Sequence, residues 1–505
     1  MSPNLLRPAP RPLPLDQLLA GFCEARPELS DVLVTGVAMD SRLVRPGDLY
    51  AALAGATTHG AKFGAEVAES GAVAIVTDAT GADLLSADGC ELPVVTVADP
   101  REIVGELSAR AYGRPGDELL LIGVTGTNGK TTMSFLLESA LAAAGHVTGV
   151  IGTTGHLIAG EAVPSIRTTP EAPEVHALLG VMRDRGVTAA VMEVSSHALS
   201  FNRVNGLVFD AAVFTNLTQD HLDFHGTMVD YFAAKASLFT PRRAKQAVIC
   251  LDDEWGHRLL DHTQLPSTTY AVDAAEADWL AVDLRPGPEG TEFEVEHAGA
   301  RVPVSVRLPG LFNVANALGA VATAVAVGVP VAVAAAAVGT RAGVRGRMQP
   351  VLNQRRVRAL VDYAHTPDAV RRAIAAVSPG PGRTIVVLGC GGDRDAAKRP
   401  IMGDVAARLA DILVITDDNP RSEDPRVIRD AMAEGAMSVP EAERASIQII
   451  GDRRAAIRRA AELAQPGDAL LVLGKGHELG QDIGGVVHPF DDAEVLAEML
   501  AVEAT

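Results

Sequence analysis

The sequence predicts an α/β protein of three domains, arranged around a central parallel sheet that opens into a phosphate-binding loop. Three observations carry that prediction. The chain has 505 residues, too many for one hydrophobic core, and at roughly 150 residues per domain it divides into about three. From residue 119 onward, apolar runs such as "LLLIGVTG", "GVTAAVMEVSS", "FDAAVFTNL" and "QAVICLDD" alternate with helical patterns, the signature of parallel strands joined by helices. The first of those runs passes directly into the glycine-rich turn "GTNGKTT" and then into the helical pattern "MSFLLESALAAAG".

Residues 1–112 form the first expected domain, in which short apolar runs ("DLYAALAG", "AVAIVTD", "LPVVTVAD") are separated by turns. The segment "YGRPGDE", residues 112–118, mixes glycine, proline and charge and reads as a linker. The central domain is expected over 113–345. Its residues 317–338 lack any charge and by count are long enough to cross a bilayer, but Gly328, Val329 and Pro330 interrupt them. A helix, a turn and a second helix with Pro330 near its start is the better reading. After the basic stretch "TRAGVRGRMQP", a third alternation fills 346–505: "RALVDYAHTP", "RTIVVLGCGGDRD", "ADILVITDDNPR" and "DALLVLGKGHE". No short internal repeat is present, which excludes a solenoid.

Composition narrows the function. The net charge is 44 − 63 = −19, without a basic block, which argues against nucleic acid as a partner. Apolar content of 48% and charge of 21% suit a soluble globular enzyme with no stable membrane insertion. Cys23, Cys90, Cys250 and Cys390 lie far apart, so neither a disulfide framework nor a zinc site is expected, and a reducing cytoplasm fits. The N-terminus is too proline-rich for the apolar segment of a signal peptide. A monomer is the expectation.

In the turn, Gly126, Thr127, Asn128 and Gly129 offer backbone N–H groups to phosphates at a helix N-terminus. Lys130 would neutralise the β- and γ-phosphates of a nucleotide and the Thr131 hydroxyl would ligate Mg2+. Val124 stands where the phosphate-loop pattern has its first glycine. Two other strand ends carry polar groups: Glu193, Ser195, Ser196 and His197 after one run, and Asn216, Asp220, His221, Asp223 and His225 after another. Ligands of open parallel sheets bind outside the carboxyl ends of the strands, so these ends converge on one site. Asp220 and Asp223 equally fit helix N-caps, and His225 reads as structural. The last domain repeats the rule, with Arg394, then Asp418, Asn419 and Arg421 of "DDNPR", then Gly474 and Glu478 after its apolar runs. The spacing of "LGCGGDRD" is not that of a dinucleotide-binding loop.

The ordered motifs "TGTNGKTT", "EVSSH", "TNLTQDHLDFHG", "FNVANALGA", "GRMQ" and "DYAHTPDA" resemble the Mur ligase family of peptidoglycan synthesis over nearly the whole chain. The resemblance implies a UDP-sugar-binding N-terminal domain, a central ATPase and a C-terminal Rossmann-like domain that admits an amino acid. It implies an ATP-dependent amide ligation through an acyl phosphate, serving cell-wall growth and hence cell shape and division. Phosphoryl transfer of this kind needs positioning and charge neutralisation.

By that resemblance Lys130, Glu193, His221 and Lys235 are catalytic, and Thr131, Glu193, His221 and Lys235 hold Mg2+. ATP would be bound by residues 126–132, Thr132 included, with Asn313, Asn316, Arg347 and Asp362. By their own context Asn313 and Asn316 read as caps at a helix start, and Lys235 as a surface lysine on a helix. The family match implies instead that Lys235 is carbamylated. Met39, Ser41, Ala56, Thr57 and Thr58 would touch the UDP group, while Thr168, Thr169, Ser195 and Arg203 would bind the muramoyl-dipeptide. Phe201 falls where some members carry a polar residue. "RTTPE" also reads as a capped helix start at Thr169 before Pro170.

Asp418-Asn419-Pro420-Arg421 resembles the motif of family members that add meso-diaminopimelate. Diaminopimelate has a second amino-carboxylate head group that lysine lacks. A guanidinium gripping that carboxylate contributes roughly 1.5–3 kcal/mol, a factor of about 10 to 150 in selectivity. Arg394 and Arg421 would face carboxylates and Glu478 an ammonium, with Gly474 in the same pocket. The expected reaction joins meso-diaminopimelate to UDP-N-acetylmuramoyl-L-alanyl-D-glutamate. The alternatives are the same ligation with L-lysine and a folylpolyglutamate-synthetase-like ligation.

Overall fold

The computed structural model describes residues 6–55, 57–165, 167–287, 290–341, 343–377 and 382–501. Ala56 lies outside them. The central element is an eleven-stranded sheet. In its middle, Thr148–Gly152, Ala189–Glu193, Leu120–Thr125, Ala211–Phe214, Ala247–Cys250, Ser267–Ala271 and Trp279–Gly287 lie side by side and parallel. Antiparallel strands extend both edges, Gly155–Ile158 and Glu161–Val163 on one side and Gly290–His297 and Ala300–Val306 on the other. The sequence reading does not anticipate these flanking strands.

Buried strand residues feed two cores, one on each face. Lys130–Ala143, Leu311–Ala326 and Val331–Val338 cover one face with Leu137, Leu141, Leu318 and Val321. Ala172–Asp184 and Met228–Ala236 cover the other. The charge-free stretch 317–338 is therefore a core element, broken at Gly328 (φ 99°) and Pro330, the cap of the second helix. Among the described residues no helix is long and apolar enough to cross a membrane.

A four-stranded parallel sheet, Gly36–Ala38, Asp48–Ala52, Ala74–Thr77 and Val94–Thr96, forms the N-terminal body. The C-terminal body holds six strands in the order Gln349–Val351, Arg358–Asp362, Ala469–Leu473, Thr384–Leu388, Ile412–Ile415, Ser446–Ile449, parallel except at the first.

Register aligns the strand ends. Glu193 pairs with Val124 and Phe214 with Thr125, so Glu193, the loop after Thr125 and the segment after Phe214 emerge at one level. Likewise Asp362 and Leu388 both pair with Leu473, and Leu388 with Ile415.

Several local expectations are corrected. Residues 112–118 form a packed joint rather than a loose linker: Tyr112 and Pro115 are buried, and Arg183 donates to the Tyr112 carbonyl at 3.1 Å. Neither Asp220 nor Asp223 caps a helix; His221 (φ 54°) precedes Leu222–His225. Glu171, not Thr169, caps Ala172–Asp184, in a capping box with Glu174. Asn313 and Asn316 lie inside Leu311–Ala326, which Gly310 precedes.

Candidate active site

The loop Gly126–Gly129 connects the central strand to helix Lys130–Ala143. Gly126 (φ 148°) and Gly129 (φ 88°) are required: a Cβ would lie 1.9 Å from Thr215 Oγ1 and 2.4 Å from Asn316 Oδ1 respectively. Residues 215–218 hold the loop from the neighbouring strand end. Thr215 Oγ1 and Asn216 Nδ2 donate to the Asn128 carbonyl (2.7 and 3.1 Å), and Asn128 N–H donates to Asn216 Oδ1 (3.0 Å). Lys130 folds over its own loop, donating to the carbonyls of Gly126 (2.7 Å) and Thr127 (2.9 Å), and burial lowers its pKa. Thr132 is buried in the first turn of the helix. Asn313 donates to the Pro309 carbonyl and accepts from Asn316.

Glu193 is fully buried and accepts from Thr131 Oγ1 (2.9 Å), Thr153 Oγ1 (2.8 Å) and Thr153 N–H (2.9 Å). Arg347 reaches across from the C-terminal side, donating to Thr131 Oγ1 at 3.0 Å and lying over the Tyr363 ring. Asp362 accepts from Met348 N–H, and burial raises its pKa. Burial pushes the His221 imidazole down to about 3, so it is a neutral donor of a lone pair. Asp220 joins three groups: His221 at 3.4 Å, and His365 (3.7 Å) and Lys398 (3.9 Å) of the C-terminal body. Burial opposes its ionisation, but these neighbours hold the carboxyl well below its usual range.

Lys235 is not a surface residue. It is 1% exposed, donates to the Gly126 carbonyl at 2.9 Å and lies 4.7 Å from the Tyr231 ring centre. Burial, then the nearby Lys130, lowers its pKa well below the usual lysine value. Thr131, Glu193 and His221 supply two oxygen donors and one nitrogen donor. Among the described residues no group of three or more His, Cys, Asp or Glu has metal-ligand geometry. That incomplete set suits magnesium, which keeps waters and takes phosphate oxygens. His225 is structural as expected, bonded to Ser196 Oγ at 2.9 Å.

Two clefts divide the remaining residues. The first, about 1450 Å³ with its solvent mouth, contains the loop, Thr168, Ser195, Asn316, Arg347 and Asp362. The second, between the N-terminal body and the start of helix Ala172–Asp184, contains Met39, Ser41, Thr58, Arg167 and Glu174, and Arg167 adjoins Thr168 of the first. Thr57 lines neither cleft. Thr169 and Arg203 also lie behind the walls. The Thr169 hydroxyl donates to the Glu193 carbonyl and accepts from Ser195 N–H; Arg203 pairs with Glu171 at 2.7 Å and flanks Phe201.

In the C-terminal body, Arg394 and Arg421 converge on Gly391, where a Cβ would meet Arg421 Nη1 at 2.9 Å and Arg394 Cγ at 3.9 Å. Arg421 (φ 52°) donates to the Gly392 carbonyl at 2.6 Å. Neither guanidinium forms a close ion pair among the described residues, although both act on the neighbouring, exposed Asp393 carboxylate. Glu423 pairs with Arg399, bidentately at 2.7 and 2.9 Å, so it is not available to Arg421. Asn419 Nδ2 donates to Glu478 at 2.7 Å. Gly474 (φ 111°) must be glycine, because a Cβ would lie 2.4 Å from Asp418 Oδ2. Pro420 is buried beneath the loop. None of these residues lines the first cleft.

Residues 33–112 match the Mur ligase family catalytic domain, 124–324 the Mur ligase middle domain, and 346–476 the Mur ligase glutamate ligase domain. The chain belongs to the Mur ligase family. It is 50% identical over 494 residues, 96% of each chain, to a protein of Streptomyces avermitilis named UDP-N-acetylmuramoyl-L-alanyl-D-glutamate–2,6-diaminopimelate ligase. A Streptomyces coelicolor protein of the same name is 49% identical, covering 97% of this chain and 98% of its own. A solved structure of a ligase so named superposes with TM-score 0.69 at 32% identity, covering 97% of this chain and 99% of that one. As a Mur ligase the protein is an ATP-dependent amide ligase that uses Mg2+.

Some residues of this Mur ligase site escape sequence reasoning. Thr153 follows a strand with no polar signal at its end. Lys398 and Lys475 are buried lysines that composition assigns to the surface.

Proposed function

We propose that this chain joins meso-diaminopimelate to UDP-N-acetylmuramoyl-L-alanyl-D-glutamate, working as a cytoplasmic monomer with domains at 1–112, 113–345 and 346–505. The observation that carries the substrate is the pair Arg394 and Arg421, two guanidiniums that share only the exposed Asp393 as a nearby carboxylate, in the same body as Glu478. A zwitterionic head group satisfies both arginines and the glutamate, and the named Streptomyces relatives agree with it.

In this reading the UDP group occupies the second cleft along Met39, Ser41 and Thr58, and the peptide passes Thr168 and Ser195 into the first. Thr169 and Arg203 act by holding Ser195 and Glu171 in place. Lys130 leaves its loop carbonyls for the β- and γ-phosphates of ATP, beside Thr132, Asn313, Asn316 and Asp362. Thr131, Glu193, His221 and Lys235 hold Mg2+, which supplies charge neutralisation at the phosphates. The depressed Lys235 amine attacks CO2, forming an N–C bond and losing a proton to water, and so becomes a carboxylate-like ligand. Arg347 is released from Thr131 to steady the transferring phosphoryl group.

An oxygen of the D-glutamyl side-chain carboxylate attacks the γ-phosphorus, and the bond to the ADP oxygen breaks. The diaminopimelate amine then attacks the acyl carbon, phosphate leaves with its electron pair, and the amine proton passes to solvent. The test is phosphate release with ATP, Mg2+ and the UDP-muramoyl-dipeptide, comparing diaminopimelate with L-lysine in wild type and Arg421→Ala. Turnover with diaminopimelate, lowered roughly 10-fold or more in the variant, is expected. Equal turnover with lysine would defeat the arginine argument, and no turnover with either would require another acceptor.

A further inference from the structure

Lys475 has no assigned role, although it is 0% exposed at the carboxyl end of a central C-terminal strand. Its Nζ donates to Asn419 Oδ1 and to Glu478 Oε2, both at 2.9 Å. Asn419 Nδ2 donates to the same Glu478 oxygen at 2.7 Å. Oε2 is thus engaged twice, while the contacts described leave Oε1 for a further donor. Asn419 Oδ1 also accepts from Asp482 N–H at 3.0 Å, and the Asp482 carbonyl accepts from Arg421 N–H at 3.0 Å. A buried lysine paired with a half-buried carboxylate is therefore connected, through Asn419 and Asp482, to the backbone that carries Arg421.

We propose that Lys475 is a positioning residue for amino-acid selection: it aims Glu478 Oε1 at the substrate ammonium and keeps the pocket unfavourable to a cation lacking a carboxylate. This rests on the diaminopimelate reading. The physical argument is charge balance. A zwitterionic head group brings an ammonium for Glu478 and a carboxylate for the arginines. The lysine side chain brings only an ammonium, which meets Glu478 already paired with Lys475 and two arginines that Asp393 alone offsets, so it adds a cation to the pocket without a second carboxylate. Removing the Lys475 charge frees the Glu478 carboxylate, so a bare cation gains while the zwitterion loses its aimed oxygen.

The experiment compares kcat and KM for diaminopimelate and L-lysine in wild type, Lys475→Met, Lys475→Gln, Glu478→Gln and the Lys475→Met, Glu478→Gln double variant. Lys475→Gln keeps a donor to Asn419 and guards against a folding failure of the methionine variant. For both Lys475 variants, KM for diaminopimelate is expected to rise about tenfold with kcat within about threefold and KM for ATP unchanged. The ratio of kcat/KM for diaminopimelate over lysine should fall about tenfold, and the double variant should lose little beyond either single one, because the two residues act as one unit. A joint change in kcat and in KM for ATP, an unchanged substrate ratio, or multiplicative losses in the double variant would overturn the proposal. Wild-type enzyme with no diaminopimelate turnover would remove the parent reading, and this one with it.

Discussion

Lys235 shows how far a residue's chemistry depends on what surrounds it. On a helix between alanines it has the sequence of a solvated lysine, yet its amine is enclosed by Tyr231 and the Gly126 carbonyl. Lys235→Ala should lower turnover by roughly a hundredfold, the scale of losing one preorganised charge at a phosphoryl-transfer site. Intact-protein mass spectrometry in bicarbonate should show added CO2; an unmodified lysine, with activity indifferent to bicarbonate and to the substitution, would remove the carbamate. His176 is a second buried group, at 0% exposure, whose Nε2–H donates to the Asn205 carbonyl at 2.9 Å. Burial lowers its imidazole from 6.5 to about 4. The unfolded chain therefore binds this proton first, so the stabilisation is complete above pH 6.5 and is lost as pH falls toward 4. The loss amounts to roughly 3 kcal/mol at 1.36 kcal/mol per unit. Urea midpoints near pH 7.5 and pH 4.5 should converge in His176→Gln relative to wild type; an unchanged pH dependence would show that other groups carry it.

The loops and strand ends translate residue chemistry into a site. Gly129 and Gly145 both have positive φ, 88° and 94°, but only Gly129 faces an atom, Asn316 Oδ1. Gly129→Ala should raise KM for ATP and lower Tm, with backbone strain of about 1–3 kcal/mol plus the clash. Gly145→Ala should lower Tm through strain alone and leave KM for ATP unchanged. If the two variants behave alike in ATP kinetics, the close approach to Asn316 has no role. Arg453 and Asp492, both fully buried, pair through two bonds at 2.6 and 2.8 Å, and Arg453 also supports the Asp417 and Leu473 carbonyls. Asp492→Asn leaves that guanidinium without its counter-charge and should cost about 3–5 kcal/mol in a denaturant titration.

Across the whole molecule, contacts between the central and C-terminal bodies already exist at Asp220 with His365 and Lys398, and at Thr131 with Arg347. The amino-acid residues nevertheless lie off the nucleotide cleft. Closure around ligands about the joints at 113–116 and 343–346 would bring them together. Both joints are packed, the second at Gly346 against His477, and the open point is Gly343 (φ 153°), which has no atom within 4 Å of an added Cβ. Small-angle scattering should record a smaller radius of gyration with a non-hydrolysable ATP analogue and both substrates; identical curves would count against closure.

The α/β class, the phosphate loop and Glu193 were legible from residue order because they depend on local periodicity: an apolar run, a turn that needs glycine, and a polar group at the strand end. The ordered motifs added the family and, through it, Arg347, Asp362 and the expected role of Lys235, whose burial only the packed structure shows. The antiparallel strands that extend the central sheet were not legible, since pairing at an edge depends on a neighbour rather than on pattern. Nor were the roles of Thr153, Lys398 and Lys475. Thr153 meets Glu193 across 40 residues and Lys475 meets Asn419 across 56. Burial and partner choice at such separations are properties of the packed chain, because desolvation and hydrogen bonding act between groups that only folding brings together.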